Sequence, residues 1–232
     1  MIEEIFYLDE GTEITKTMNG LTTIPFDYNN RLDNVMTMAW TVFKSQFIHK
    51  RHFIATEAPF QHHFADIIRQ VGILHCLTKE DVFLVDLETQ CKDIKGKTKY
   101  LDITCEFVNQ IGCAIELKFK KASQGAQDHG RIDIYVDIEA LELVCKEKFD
   151  VGKFYVITDS TPYVKQSKVG VGTVFSTHHG HTSEANKEFR TNSKGREHVK
   201  VNLTNSYTFS WEKIDKWYFL ELTINTNKPT TK

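Results

Sequence analysis

The chain has 232 residues, of which 41% are hydrophobic and 26% charged. That is enough apolar material for a packed core and too much for wholesale disorder. Lys and Arg number 29 against 31 Asp and Glu, a net charge of −2, which excludes a globally basic nucleic-acid binder but not a local basic groove. Five acids fall within residues 1–15, where no Lys or Arg stands, so the other 217 residues carry +3.

Residues 1–30 read as short strands and turns, with Asn19-Gly20 marking a turn. Asp33 is placed to cap a helix ending near Phe47, with Val35, Met38, Ala39, Val42 and Phe43 as its apolar face. Thr56 caps a second helix, with Pro59 in its first turn and a stop near Gly72. The period then shortens. Asp81–Glu88 reads as a strand, Lys92–Lys99 as a lysine-rich loop, and Tyr100–Phe107 and Gly112–Phe119 as two strands of a tight hairpin. A long helix follows over Ser123–Lys146, with Ala126, Ile134, Ile138, Leu141 and Cys145 at helical spacing. Phe154–Thr158 is a short buried strand. From Gly170 onward VGTVFST, HVKVNL, YTFSW and WYFLELTI look strand-like, and the polar loop Gly180–Glu197 interrupts them.

This succession predicts an α/β fold: a mixed central sheet flanked by helices, with an extra C-terminal antiparallel strand region. Residues 1–232 are read as a single domain, with a core of about 56–160, an N-terminal elaboration over 1–50 and a strand extension over 165–232. The five cysteines are odd in number and form no CxxC, so reduced thiols in a cytoplasmic protein are expected. No apolar run approaches the length of a membrane span, and no membrane partner is expected.

The chemistry concentrates on the hairpin. Glu116 and Lys118 are two apart and share a face. A hairpin centred on Asn109 sets position 102 opposite position 116, each seven residues away. Asp102, Glu116 and Lys118 then converge, two carboxylates and an ammonium suited to a hard divalent cation and its water. An ordinary half-solvated strand carrying a Glu–Lys pair is the other reading of the same alternation. Against it, the opposite face is Cys113, Ile115, Leu117 and Phe119, and charges on so hydrophobic a strand need a reason.

At these residues the chain resembles the PD-(D/E)xK nucleases. Asp102 followed by Glu116-Leu117-Lys118 has the form of their signature, and Gln124-Gly125-Ala126-Gln127-Asp128-His129-Gly130-Arg131-Ile132-Asp133 resembles the helix after the catalytic strand in a bacterial group of that superfamily. The match continues in Asp137-Ile138-Glu139-Ala140-Leu141-Glu142 and spans Thr56 to about Ser160. There are two departures. Leu101 stands where a Pro is usual, and the loop from Lys118 to Gln124 is short, which narrows the entrance.

The resemblance implies a restriction-endonuclease-like core and Mg²⁺-dependent hydrolysis of DNA, with Mn²⁺ as a substitute. Asp102 and Glu116 would bind the metal with the Leu117 carbonyl as a third ligand, and Lys118 would orient the water. Glu57 is the matching position for a carboxylate that assists or holds a second ion; its plain reading is a first-turn acid favoured by the helix dipole. Gln124 or Gln127 would meet the metal site or a phosphate and Arg131 a phosphate, or the three would tie helix to sheet as a buried polar network. Lys120, Lys121, Arg190, Lys194 and Arg196 are the expected phosphate-steering bases. Lys92–Lys99 and 187–200 each carry +3. Restriction or defence is the biological role such a nuclease suggests, and a homodimer is open. A catalytically idle binding module on the same fold is the competing class.

Other chemistries lack their residues. A tyrosine-phosphatase loop needs Arg six residues after the Cys, and Cys76 has Val82 there. His178-His179-Gly180-His181 has no further Cys or His at zinc spacing. No P-loop, GxGxxG or GxSxG is present.

Overall fold

The computed structural model describes residues 23–125 and 127–225. The acidic segment 1–15, the Asn19-Gly20 turn and Ala126 lie outside the described residues.

The first helix, α1 (Tyr28–Ile48), begins five residues before Asp33. Asp27 is the cap, and its carboxylate accepts the Asn30 amide at 2.9 Å. Asp33 instead pairs with Lys153 at 3.2 Å. The buried stripe is Leu32, Val35, Met36, Ala39, Trp40, Phe43 and Phe47. Met38, expected inside, is 48% exposed, because the stripe runs through Leu32, Met36, Trp40 and Phe43 and leaves position 38 off that face.

Helix α2 (Glu57–Leu74) has Thr56 at its cap position, although the Thr56 side chain makes no capping bond. The helix continues past Gly72. That glycine is a packing gap, since a Cβ there would overlap the Phe83 ring.

Strand β1 (Phe83–Ile94) and β2 (Lys97–Phe107) form a hairpin through Lys95 and Gly96. Both turn residues have positive φ, 52° and 71°, the geometry of a two-residue turn matched to strand twist. The expected lysine-rich loop is therefore mostly strand. Asn109, at φ 62°, centres the next hairpin to β3 (Ile111–Lys120), as the sequence predicted. Ile103 pairs with Ile115, the register that brings 102 to 116.

Helix α3 (Gln127–Glu147) starts four residues later than expected, after a separate 3-10 turn over Ala122–Gln124. It crosses over to β4 (Val151–Thr158), which lies parallel to β3. The predicted strand VGTVFST is a single helical turn, α4 (Val171–Val174), opened by Gly170 at φ 72°. The expected polar loop contains β5 (Lys187–Arg190), paired with β6 (Lys200–Leu203). YTFSW forms no strand: Tyr207, Phe209 and Trp211 are buried anchors instead. Strands β7 (Glu212–Ile214) and β8 (Trp217–Asn225) complete the set.

The main sheet is mixed and six-stranded, in the order β1-β2-β3-β4-β8-β7. The C-terminal strands therefore divide: β7 and β8 extend the central sheet, while β5 and β6 form a small separate one. Helices α1 and α2 cover one face with an aromatic core in which Trp40 packs against Phe43, Phe60, Phe64, Tyr155 and Phe219. Helix α3 covers the other face and is itself covered by the β5–β6 region. Being enclosed, it buries carboxylates as well as its apolar stripe, and these find partners. Glu142 accepts the Thr204 and Asn205 amides at 2.7 and 2.8 Å and the Tyr207 hydroxyl at 2.7 Å.

Candidate active site

β3 carries two faces as its alternation predicts. Cys113, Ile115, Leu117 and Phe119 join the α1–α2 core, and Ala114 joins the α3 core. Glu116 and Lys118 therefore face α3. The ladder between β2 and β3 ends at Ile103–Ile115. Beyond it β2 turns over: Ile103 packs in the α1–α2 core and Leu101 in the α3 core. The turnover falls at Asp102, bracketed by the pairs Leu87–Ile103 and Thr89–Leu101. Glu88, between those pairs on β1, takes φ 53°, and such backbone strain is concentrated where a site must be shaped. Gln61 of α2 holds this corner, donating to the Asp102 carbonyl at 2.6 Å and to Glu88 at 2.8 Å.

Where the strands part, side chains take over. Asp102 Oδ2 accepts the Leu117 amide at 2.7 Å. Glu116 is 2% exposed, and its Oε1 has no partner. Lys118 Nζ donates to the Leu117 carbonyl at 3.1 Å and stands 4.0 Å from Glu57. Glu57, at the start of α2, accepts the Phe119 amide at 3.2 Å and pairs with Lys120 at 3.4 Å. The structure thus brings Glu57, Asp102, Glu116, Leu117, Lys118 and Lys120 together.

Two further residues complete the cluster: Asp137, to which the sequence assigns no role, and Lys99, expected only as part of the phosphate-steering stretch Lys92–Lys99. Asp137 of α3 accepts from Lys118 at 2.7 Å through one oxygen and from Lys99 at 2.7 Å through the other. Lys99 also reaches Glu116 Oε2 at 3.2 Å. Asp137 had a signal: it sits among Ile134, Ile138 and Leu141, a charge inside an apolar stripe. Lys99 had none, because its strand was read as loop.

The protonation landscape is uneven. Burial, reinforced by the Asp137 and Asp102 carboxylates, pushes Glu116 well above the usual carboxylate range. Burial also raises Asp102, against the pull of Lys118 and the Leu117 amide. Burial opposes ionisation of Asp137 too, but Lys118 and Lys99 outweigh it and lower its pKa. Burial would lower Lys118, yet Asp137, Glu57 and Glu116 hold it firmly charged. The site therefore combines a fixed ammonium with a buried carboxylate that has Lys99 on one oxygen and no partner on the other.

Among the described residues no three Asp, Glu, His or Cys side chains stand in ion-holding geometry. The donors on offer are two carboxylates and a backbone carbonyl. The partnerless Glu116 Oε1, beside Asp102, matches what a hard cation takes when water fills its remaining positions. Of these donors only Glu116 Oε1 is without a partner, since Asp102 accepts the Leu117 amide and the Leu117 carbonyl accepts Lys118.

The outlying predicted residues are placed differently. Gln124 caps the 3-10 turn by accepting the Lys121 amide at 2.9 Å. Gln127 lines a groove with Asp128, Arg131, Pro162 and Lys165. Arg131 is buried, donating to the Pro162 carbonyl and to Asp128. Lys121 lies over the Phe119 ring at 5.6 Å. Arg190 pairs with Glu188, Lys194 is exposed, and Arg196 pairs with Asp133 at 2.9 Å, one helical turn from Asp137. The two basic stretches meet over α3: Lys95 pairs with Glu139 at 2.5 Å and donates to the Lys200 carbonyl at 3.5 Å.

No described helix is long and apolar enough to cross a membrane. No family model, no curated protein and no solved structure matches the chain.

Proposed function

We propose that this protein hydrolyses phosphodiester bonds in DNA with the help of Mg²⁺, as its resemblance to the PD-(D/E)xK nucleases implies. The observation that carries this reading is the convergence of Asp102, Glu116 and Lys118, with Glu116 buried and one of its oxygens partnerless. Asp102, Glu116 and the Leu117 carbonyl are the residues that would hold such a cation, which would supply neutralisation of phosphate charge and a more acidic water. Lys118, kept charged and aimed by Asp137, orients the attacking water and steadies charge on the phosphate. Glu57 fixes the end of β3 and draws Lys120 toward the same mouth. Of the bases over α3, Lys95 and Arg196 are paired with Glu139 and Asp133, and Lys194 is exposed to meet a phosphate. A cytoplasmic role in defence is in keeping with this chemistry.

One observation favours a second reading, a binding module without turnover. Lys99 already lies against both Glu116 and Asp137, so the carboxylates are balanced without a cation. Incubation with plasmid, linear and single-stranded DNA and with RNA, in Mg²⁺, Mn²⁺ or EDTA, separates the two. Mg²⁺-dependent DNA products support hydrolysis. Retention of intact nucleic acid under all conditions supports the module, and cleavage of RNA alone redirects the substrate.

A further inference from the structure

The loop between α1 and α2 leads directly into Glu57, and it holds Phe53 at 89% exposure. Beside Phe53 lies a groove of about 450 Å³ between this loop and the β7–β8 turn, within the size range of small-ligand clefts. Its floor is apolar, formed by Phe47, Ile48, Ile54 and Trp217. Lys50, His52 and Lys216 line it as well, against Asp215 alone. The His52 ring stacks on His63 with centroids 3.9 Å apart. The groove shares a wall with the candidate site. Trp217 packs on Phe119 at 5.6 Å, and Phe119 donates its amide to Glu57.

A flat apolar floor, an open aromatic face and two ammonium groups describe what an unpaired nucleotide needs: a surface for its base and charge for its phosphates. A base inside a duplex is stacked on both faces, so an uninterrupted duplex has nothing to place there, and a blunt end offers only the wide face of a terminal pair, which cannot enter the groove as a single base can. We propose that this groove seats an unpaired nucleotide stacked on Phe53, so that the preferred substrate is DNA with a single-stranded end or segment beside the cleavage point. The inference deepens the nuclease reading and rests on it for the choice of a nucleic acid as occupant.

The test is equilibrium binding of the full chain in EDTA, read by fluorescence anisotropy, so that no cleavage intervenes. The probes are a labelled single strand, its blunt duplex, and that duplex with one unpaired terminal nucleotide. The wild type is expected to bind the single strand and the tailed duplex more tightly than the blunt duplex. Phe53→Ala should weaken those two by about fivefold or more, the loss of one base–aromatic stack, and leave the blunt duplex unchanged. Phe53→Trp should restore them. An equal loss on all three probes, or no loss, overturns the inference. So does self-association of the chain that Phe53→Ala abolishes, which would give the groove to a second copy. A parallel Mg²⁺ cleavage assay keeps the two readings apart. Phe53-dependent binding without cleavage removes hydrolysis and leaves the groove; cleavage without the Phe53 effect does the reverse.

Discussion

Glu116 occupies a costly place for a carboxylate: it is buried, one of its oxygens is unpaired, and two acids stand close by. Its pKa lies above that of the unfolded chain, so the folded state keeps the proton longer. Folding stability must then fall as pH rises from the ordinary value of 4.5 toward the raised one. Glu116→Gln removes that slope. Thermal denaturation across pH should show the variant gaining on wild type as pH rises, because the neutral amide has no buried charge to desolvate, with the gain vanishing in acid. A parallel slope in both proteins would show that Glu116 is not strained. Asp81 shows the opposite sign. Burial alone would raise it, but the Tyr28 hydroxyl, the Leu77 and Thr78 amides and Arg31 bring it from 3.8 down to about 2. The corresponding stability, about 2 kcal/mol, is present above the unfolded pKa and is lost as pH falls through 3.8 to about 2. Asp81→Asn should cost on the order of 3 kcal/mol at neutral pH, because it strands Arg31 in the interior. Urea melts of the two proteins at pH 7 check this.

At the scale of elements, periodicity made α2, α3 and the β2–β3 hairpin legible, and centring the hairpin on Asn109 gave the register of a ladder that ends at Ile103–Ile115, one pair short of Asp102 and Glu116. What was missed came from tertiary context. Gly72 reads as a stop, but the helix runs through it because Phe83 fills the space a side chain would need. Gly72→Ala gains intrinsic helix propensity yet forces that ring aside, so a net loss of about 1–2 kcal/mol in stability is expected. A stabilised variant would show that the ring has room to move. The lysine-rich stretch before Lys99 reads as loop because four lysines conceal a two-residue turn, and this hid Lys99 itself. Helix α3 is enclosed on both sides, so polar residues occupy its buried face and blur its stripe. Leu141, fully buried beneath the sheet, should cost about 3 kcal/mol when cut to Ala, as read by the denaturation midpoint.

For the whole molecule, a net charge of −2 conceals an uneven distribution. Two basic stretches far apart in sequence meet over α3, and Arg196 reaches Asp133 on the same helix. That convergence depends on how β5–β6 packs against α3 and was not readable from the chain. The site was more legible than its surroundings: three of its residues follow from one strand alternation and one hairpin register, whereas Asp137 arrives from a helix on the covering layer. Nucleic-acid binding that uses this rim should weaken linearly with the logarithm of salt concentration. A flat salt response would exclude the rim from the interface. The most direct test of the central claim is the initial rate of Mg²⁺-dependent DNA cleavage by wild type, Asp102→Asn and Lys118→Met, each checked for a cooperative melt. Wild type should cut and EDTA should abolish the cutting, and each folded variant should lose about a hundredfold or more. Intact DNA with wild type, or cleavage by the folded variants at the wild-type rate, would contradict the claim.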